Sequence, residues 1–453
     1  MKRLLGGYFL LALFVFSCNQ KNQNEVEGTS LETRISDDSL MTLVQYRTFQ
    51  YFWEGAEPTS GLARERIHLD GDYPENDQNV VTTGGSGFGI MSILVGIERG
   101  FISRQEGFER LRKIVNYLEK ADRFHGIWSH WIHGETGKVK PFGSDDDGGD
   151  LVESAFLMQG LLTVRQYFRD GTEEEKELAT RITKLYEEME WSWYKRKNEN
   201  VLLWHWSPNI DFQKNHALMG YDETLITYIL AASSPTHAID PILYQEGWAR
   251  SGEIKNDSEP YGHLLELKHN GAAELGGPLF WAHYSFVGLD PRGLQDQYAD
   301  YWRQNVNHTL ANRAWCVENP NGFEGYGENS WGLTASYSVN GYAAHAPGVD
   351  KDKGVISPTA ALSSFPYTPE YSMEAMRYWF EEYGEKLFGK YGFYDAFSAS
   401  ENWFPQRYLA IDQGPIVVMI ENHRTGLLWD LFMSSPEVQE GLSKLEFQSP
   451  HLK

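Results

Sequence analysis

The sequence predicts an all-α fold, a toroid of paired helices of the (α/α)6-barrel type with short β-hairpins in its loops. Three observations carry that prediction. About a dozen segments space their apolar residues at helical period, with few convincing strands between them. No linker divides the chain after Leu40, so these segments share one domain. No repeat recurs at a fixed period of about 20 to 50 residues, which sets aside a regular solenoid.

The elements follow in chain order. Met1-Lys2-Arg3 is basic, Leu4 to Phe16 is apolar, and Ser17-Cys18 closes the run. This is a signal peptide over residues 1–17, too short to span a bilayer comfortably. Cys18 stands where a bacterial lipobox cysteine is lipidated, and residues 18–36 read as a flexible tether. The expectation is an exported lipoprotein of the periplasm or outer membrane, touching membrane only through that anchor. Residues 37–453 are expected to form one barrel domain and a monomer. Asp37-Asp38-Ser39 caps a first helix that runs to about Glu57. Further helices are expected at 86–98, 104–120, 150–169, 173–195, 222–232, 240–250, 272–287, 295–317, 370–386, 412–423, 426–434 and 436–445. Residues 124–142 and 201–212 suit short hairpins.

Composition narrows the function. Forty basic residues stand against 63 acidic ones, a net charge of −23. Such a surface repels nucleic acid and anionic headgroups, and no basic patch reverses it. Aromatic residues make up 14% of the chain, with 15 Trp. Flat aromatic faces suit the C–H faces of sugar rings, although large helical proteins also pack aromatics in their cores. Cys316 reads as a buried, inert thiol. The chain has no G-x-S-x-G, no P-loop and no H-E-x-x-H, and no cofactor is expected. Gly84-Gly85-Ser86-Gly87-Phe88-Gly89 lacks dinucleotide-binding spacing and reads as a flexible helix entry that brings backbone near a ligand.

The stretch Asp145 to Glu153 holds five carboxylates in nine residues and runs straight into an apolar helix pattern. Asp146 or Asp147 can cap the first turn. At about 100° per residue, Asp146, Asp150 and Glu153 fall within an arc of roughly 60° beside the apolar face. Carboxylates crowded this closely cannot all ionise at ordinary pKa values. A protonated acid beside an ionised one suits hydrolysis of a glycosidic bond. The same acids also suit a solvated helix start. An EF-hand is excluded, because Gly149 falls where a ligand is needed.

Other candidates lie downstream. Asp222 looks like a cap, and Glu223 beside it either shares helix-start chemistry or faces a cavity. His283, in Phe280-Trp281-Ala282-His283-Tyr284, is either buried against a hydroxyl or in contact with substrate. The glycine-rich run 322–336 offers Tyr326 and Trp331 as stacking faces, or is a plain structured loop. Trp204, Trp281 and Trp403 offer further faces. Asp412 opens an apolar helix, and Glu421 within it needs Arg424 as a partner or a polar cavity.

Five motifs occur in order: Asp146-x3-Asp150-Leu-Val-Glu153, Gly220-Tyr-x-Glu223-x-Leu-Ile, Ser234-Pro-Thr-His237, Trp331-Gly-Leu-Thr-Ala-Ser336, and Asp412-Gln-Gly-Pro-Ile-x3-Met-Ile-Glu-Asn422. Together they resemble the bacterial glucoamylase-like family, which includes the glycoside hydrolase family 144 endo-β-1,2-glucanases and a transglycosylating domain of cyclic β-1,2-glucan synthases. The similarity spans residues 40 to 445. The resemblance implies an (α/α)6 barrel acting without a metal on β-1,2-linked glucan or its oligosaccharides, with Asp146, Asp150, Glu153 and Glu223 as its acids. One departure is visible, since Tyr337 stands where members often carry Asp. The expected mechanism is inverting hydrolysis, with Glu153 or Glu223 as the acid and Asp146 and Asp150 positioning or activating. Inversion needs carboxyls about 6.5–9.5 Å apart. The alternatives are a polysaccharide lyase on the same barrel and a non-catalytic sugar-binding lipoprotein.

Overall fold

The computed structural model describes residues 34–71 and 77–452. The expected signal peptide, the Cys18 lipidation site and tether residues 19–33 lie outside the described residues. From Asp37 onward the chain forms one compact unit.

Among the described residues there are twelve α-helices. They are α1 (Asp37–Trp53), α2 (Thr83–Glu98), α3 (Arg104–Leu118), α4 (Leu151–Phe168), α5 (Glu173–Glu187) and α6 (Leu225–Ser233). Then come α7 (Tyr301–Glu318), α8 (Pro358–Leu362), α9 (Pro369–Tyr378), α10 (Ala410–Arg424), α11 (Leu427–Met433) and α12 (Pro436–Lys444). Between α6 and α7 lie a π-helical turn, Leu243–Trp248, and two 3-10 turns, Leu279–Ala282 and Tyr284–Val287.

Two kinds of segment alternate along the chain. In α2, α4, α6 and α10 nearly every residue is buried, because their sequences are apolar all round. With the paired 3-10 turns and α8 they make an inner ring of six. Between them, α3 and α5 bury one stripe each: Phe108, Leu111, Ile114, Val115 and Leu118 on α3, and Leu178, Ala179, Ile182 and Leu185 on α5. Such stripes suit an outer ring facing water, completed by α1, the π turn, α7 and α9. The result is the (α/α)6 barrel. Strand pairs of two or three short strands occupy the loops.

Several expected elements change. The helix over 173–195 stops at Glu187 and resumes as a 3-10 turn at Trp191–Tyr194. The helix over 272–287 reduces to the two 3-10 turns, since Gly276 holds φ +90° and Pro278 lacks an N–H. The first helix ends at Trp53, and the Glu57 carboxylate instead accepts the Thr59 and Ser60 N–H groups in a turn. Helix α8, absent from the sequence reading, starts at Pro358.

The glycine run also has another role than expected. It lies inside α2, where a Cβ on Gly87 would come within 2.2 Å of the Phe156 carbonyl oxygen on α4. A Cβ on Gly160 would come within 2.3 Å of the Gly87 oxygen. Glycine at both positions lets the two inner helices touch backbone to backbone, and this contact sets where the start of α4 lies.

Candidate active site

Asp150 is the hinge of the acidic stretch. It pairs with His205 in a two-residue strand contact and then serves as N-cap of α4, its Oδ1 accepting from the N–H of Val152 at 3.1 Å and Glu153 at 2.9 Å. This corrects two expectations. The cap is Asp150 itself, and Asp146 and Asp150 precede the helix, so no common helical stripe aligns them with Glu153. The acids are drawn together through histidines instead. His130 Nδ1 lies 3.0 Å from Asp150 Oδ2, and its Nε2 lies 4.0 Å from Glu153 Oε1. His205 Nε2 lies 3.2 Å from Asp146 Oδ2 and 3.6 Å from Asp150 Oδ2. Lys214 Nζ donates to Asp146 at 3.3 Å, and Trp204 Nε1 to Asp150 Oδ1 at 2.8 Å.

Environment separates these groups. Burial raises the Glu153 carboxyl to about 7 against the pull of His130, with Asp150 pushing the same way and the Gly84 N–H, at 2.7 Å, opposing. Burial alone would depress His130, but Glu153, Asp150 and Asp146 carry it up to about 9. Asp146 also feels burial, yet His205, His130 and Lys214 hold it below the usual carboxylate range. Glu223 comes from the turn before α6, where Asp222 accepts the Thr224 N–H at 3.0 Å and so shapes the helix entry. Burial, then Asp222 and Glu153, raise Glu223 well above its ordinary value.

Glu153 and Glu223 line one cavity of about 330 Å³. Its wall includes Trp131, Phe156, Trp204, Phe280, Tyr284 and Tyr337, while Phe142 and Tyr342, the most exposed of its aromatics, mark the opening. Phe142 stacks on His130 with ring centroids 4.2 Å apart. Glu65 and Arg66 add a close ion pair to the lining. The cavity lies at the starts of α2, α4, α6 and α10, as Thr82, Glu153, Glu223 and Ile411 show. Ligating atoms of His130, Asp146 and Asp150 lie within 4.8 Å of one another, the spacing of a metal site, but protein partners already engage them.

Of the candidate binding residues, Trp204 lines the cavity and the other seven do not. Asp412 is buried and accepts the Tyr284 phenol at 3.2 Å. Trp281 is 9% exposed and off the lining. His283 is buried against the Ser364 hydroxyl at 2.9 Å. Trp331 is wholly buried, and Tyr326 donates to Asp352 at 2.7 Å. Trp403 packs against the small cluster around Val355 and Ala396. Glu421 pairs with Arg99 at 2.6 Å, not with Arg424, near the far end of α10 from the cavity. Away from the cavity wall, these side chains pack or pair within the protein. His130, Glu65, Arg66, Phe142, Tyr284, Tyr337 and Tyr342 were not singled out as wall residues. Only His130 had a local signal, a histidine between tryptophans in a hairpin beside the acids.

Comparison with known proteins places this geometry. An endo-β-1,2-glucanase from Chitinophaga pinensis, solved with sophorotriose and glucose, is 67% identical and superposes with a TM-score of 0.91, covering 92% of this chain and all of that one. The chain belongs to the glucoamylase-like family. The family model described as "Putative glucoamylase" matches residues 215–436. A curated relative from Parabacteroides distasonis, an exo β-1,2-glucooligosaccharide sophorohydrolase acting at the non-reducing end, is 44% identical over 97% of this chain. The chain spans 62% of the length of that relative. An endo-β-1,2-glucanase from Talaromyces funiculosus, solved with sophorose, is 11% identical with a TM-score of 0.61 over 87% of each chain, a likeness of fold. The family's barrel places Glu153 and Glu223 at the starts of two inner helices.

Proposed function

We propose that the chain is a glycoside hydrolase that cleaves β-1,2-linked glucan or its oligosaccharides with water and inversion. One observation carries the mechanism: Glu153 and Glu223, 70 residues apart in sequence (223 − 153), line one aromatic-walled hollow, and both carboxyls are pushed upward. Glu223, the more strongly raised, holds the proton that goes to the leaving oxygen. Glu153 has the imidazolium of His130 and the Gly84 N–H to favour its carboxylate, so it removes a proton from the attacking water. Asp150 has no exposed surface and acts through His130 and Trp204, as a positioning residue. Asp146 holds His205.

The relatives' substrates support the linkage. The wall also argues against a lyase, since Arg66 is neutralised by Glu65 and the Glu153 carboxylate would repel a polymer of uronic acids. The direct test is turnover of β-1,2-glucan by Glu223→Gln and Glu153→Gln. Each should fall by about two orders of magnitude or more in kcat with the fold intact. Turnover near that of the parent enzyme would remove that residue from the mechanism. Export and lipid anchoring at Cys18 belong to the same proposal, supported by the sequence of residues 1–18. Membrane association that persists in Cys18→Ser would refute the anchor.

A further inference from the structure

The turn that carries Glu223 is held from outside by two side chains that the mechanism leaves unused, Arg250 and Asn270. Asn270 Nδ2 donates to Asp222 Oδ2 at 2.8 Å and to the Met219 carbonyl at 2.9 Å. The Asn270 backbone N–H donates to the Tyr221 carbonyl at 3.1 Å. Arg250 Nη2 donates to the same Met219 carbonyl at 2.9 Å and to Asn270 Oδ1 at 3.1 Å. Gly220 holds φ +84° between these contacts, and a Cβ there would come within 2.3 Å of Asn270 Oδ1. Glycine lets the turn pass this close. Asp222 Oδ1 accepts the Thr224 N–H at 3.0 Å and the Thr224 hydroxyl at 2.6 Å. These partners of Asp222 all donate, which favours its carboxylate.

The arrangement is kept at a cost. Arg250 and Ser251 both hold left-handed backbone, at φ +49° and +55°. Arg250 Nε is buried and meets no acceptor among the described residues. Strain of this kind persists only where the surroundings fix it, and it gathers at functional sites.

We propose that Arg250 and Asn270 are positioning residues for Glu223, clamping residues 219–222 and holding the Asp222 carboxylate beside the acid. The inference rests on reading Glu223 as the proton donor of the glycosidase site. Asp222 and Glu223 are neighbours in the chain, with Cα atoms about 3.8 Å apart. A charge on the first therefore disfavours a charge on the second. Burial first, and then Asp222, push the Glu223 carboxyl upward. Burial raises Asp222 as well, but Thr224, then Asn270 and Arg250, oppose that rise. The clamp thus divides two adjacent acids into a carboxylate and a proton donor. On the other side, the Glu223 carbonyl accepts the Ser285 hydroxyl at 2.5 Å, which fixes the backbone where α6 begins. The other titratable groups near the two acids are Glu153, Tyr221, Tyr228 and Tyr342.

The test is kcat and KM of the full chain on a β-1,2-linked glucooligosaccharide of defined length, from about pH 5 to about pH 9, beside thermal melts. Asn270→Ala should lower kcat about tenfold or more while KM changes by less than about twofold. Arg250→Met should lose kcat in the same way. Arg250→Lys, which can still donate to the Met219 carbonyl, should recover most of that loss. Asp222→Asn removes the negative charge, so Glu223 should release its proton sooner and the basic limb of kcat should move to lower pH. Parent-like kcat in Asn270→Ala or Arg250→Met overturns the clamp, as does a loss that only tracks the unfolded fraction. Should those two variants fail to fold, Asp222→Asn decides it: a shifted basic limb supports the clamp, and an unmoved limb overturns it. A parent chain that cleaves no such oligosaccharide overturns the glycosidase reading and the clamp together, whereas an active parent with indifferent variants overturns the clamp alone.

Discussion

At the scale of single residues, the chemistry depends on how much a buried carboxyl resists ionisation. His130 governs this for Glu153, because its cation is the largest influence favouring the carboxylate. His130→Ala should therefore leave Glu153 protonated to higher pH. The acid limb of kcat/KM should move to higher pH, and a pH–rate profile of the variant on β-1,2-glucooligosaccharides checks it. An unmoved limb would mean that Glu153 is not the base. Glu421 illustrates the opposite outcome. It is as deeply buried as Asp412, yet Arg99, Gln45 and Thr425 satisfy its oxygens. Burial of a carboxyl marks a functional group only where a partner is missing or the group faces a cavity.

At the scale of elements, the crossing of α2 and α4 places the proposed base. Gly84 donates to Glu153 Oε2, and a Cβ there would stand 2.4 Å from that oxygen. Gly84→Ala should displace the carboxylate and cost about tenfold or more in kcat, with a smaller loss of stability. Gly87→Ala strikes backbone on α4 instead, at 2.2 Å from the Phe156 oxygen. It should destabilise by about 1–3 kcal/mol, as overpacked cores do. Thermal melts beside steady-state kinetics separate the two. Equal loss of activity and stability in both variants would contradict the distinction.

At the scale of the whole molecule, several buried groups set how stability depends on pH. His130 has a folded pKa near 9, above its ordinary 6.5, so its contribution is complete below 6.5 and is lost as pH rises through about 9. Glu153 and Glu223 are raised carboxyls, and their contributions are also lost as pH rises. His283, His308 and His345 act the other way. Burial lowers them to between about 3 and 4, so their contribution is present above 6.5 and is lost as pH falls through that range. Between 6.5 and 9 only the losses of the first group remain, and the net charge of −23 adds repulsion in the same direction. The melting temperature should fall from pH 6.5 to pH 9, as calorimetric scans can establish. A rise over that interval would refute these assignments.

What the sequence determined by itself was whatever short-range physics controls. Apolar spacing and end signals located the long helices α2, α3, α4 and α10 to within a few residues, and the five acids marked the start of α4. Asp146, Asp150, Glu153 and Glu223 were legible because charged groups beside apolar runs are unusual in any fold. Tertiary structure alone decided which aromatic faces meet the cavity, since Trp204 and Trp331 look alike as sequence and differ only in what packs over them. It also decided that His130 acts on Glu153, and Glu153 on Glu223. Those encounters join segments distant along the chain, and the distances between them are set by helix packing that no local pattern encodes.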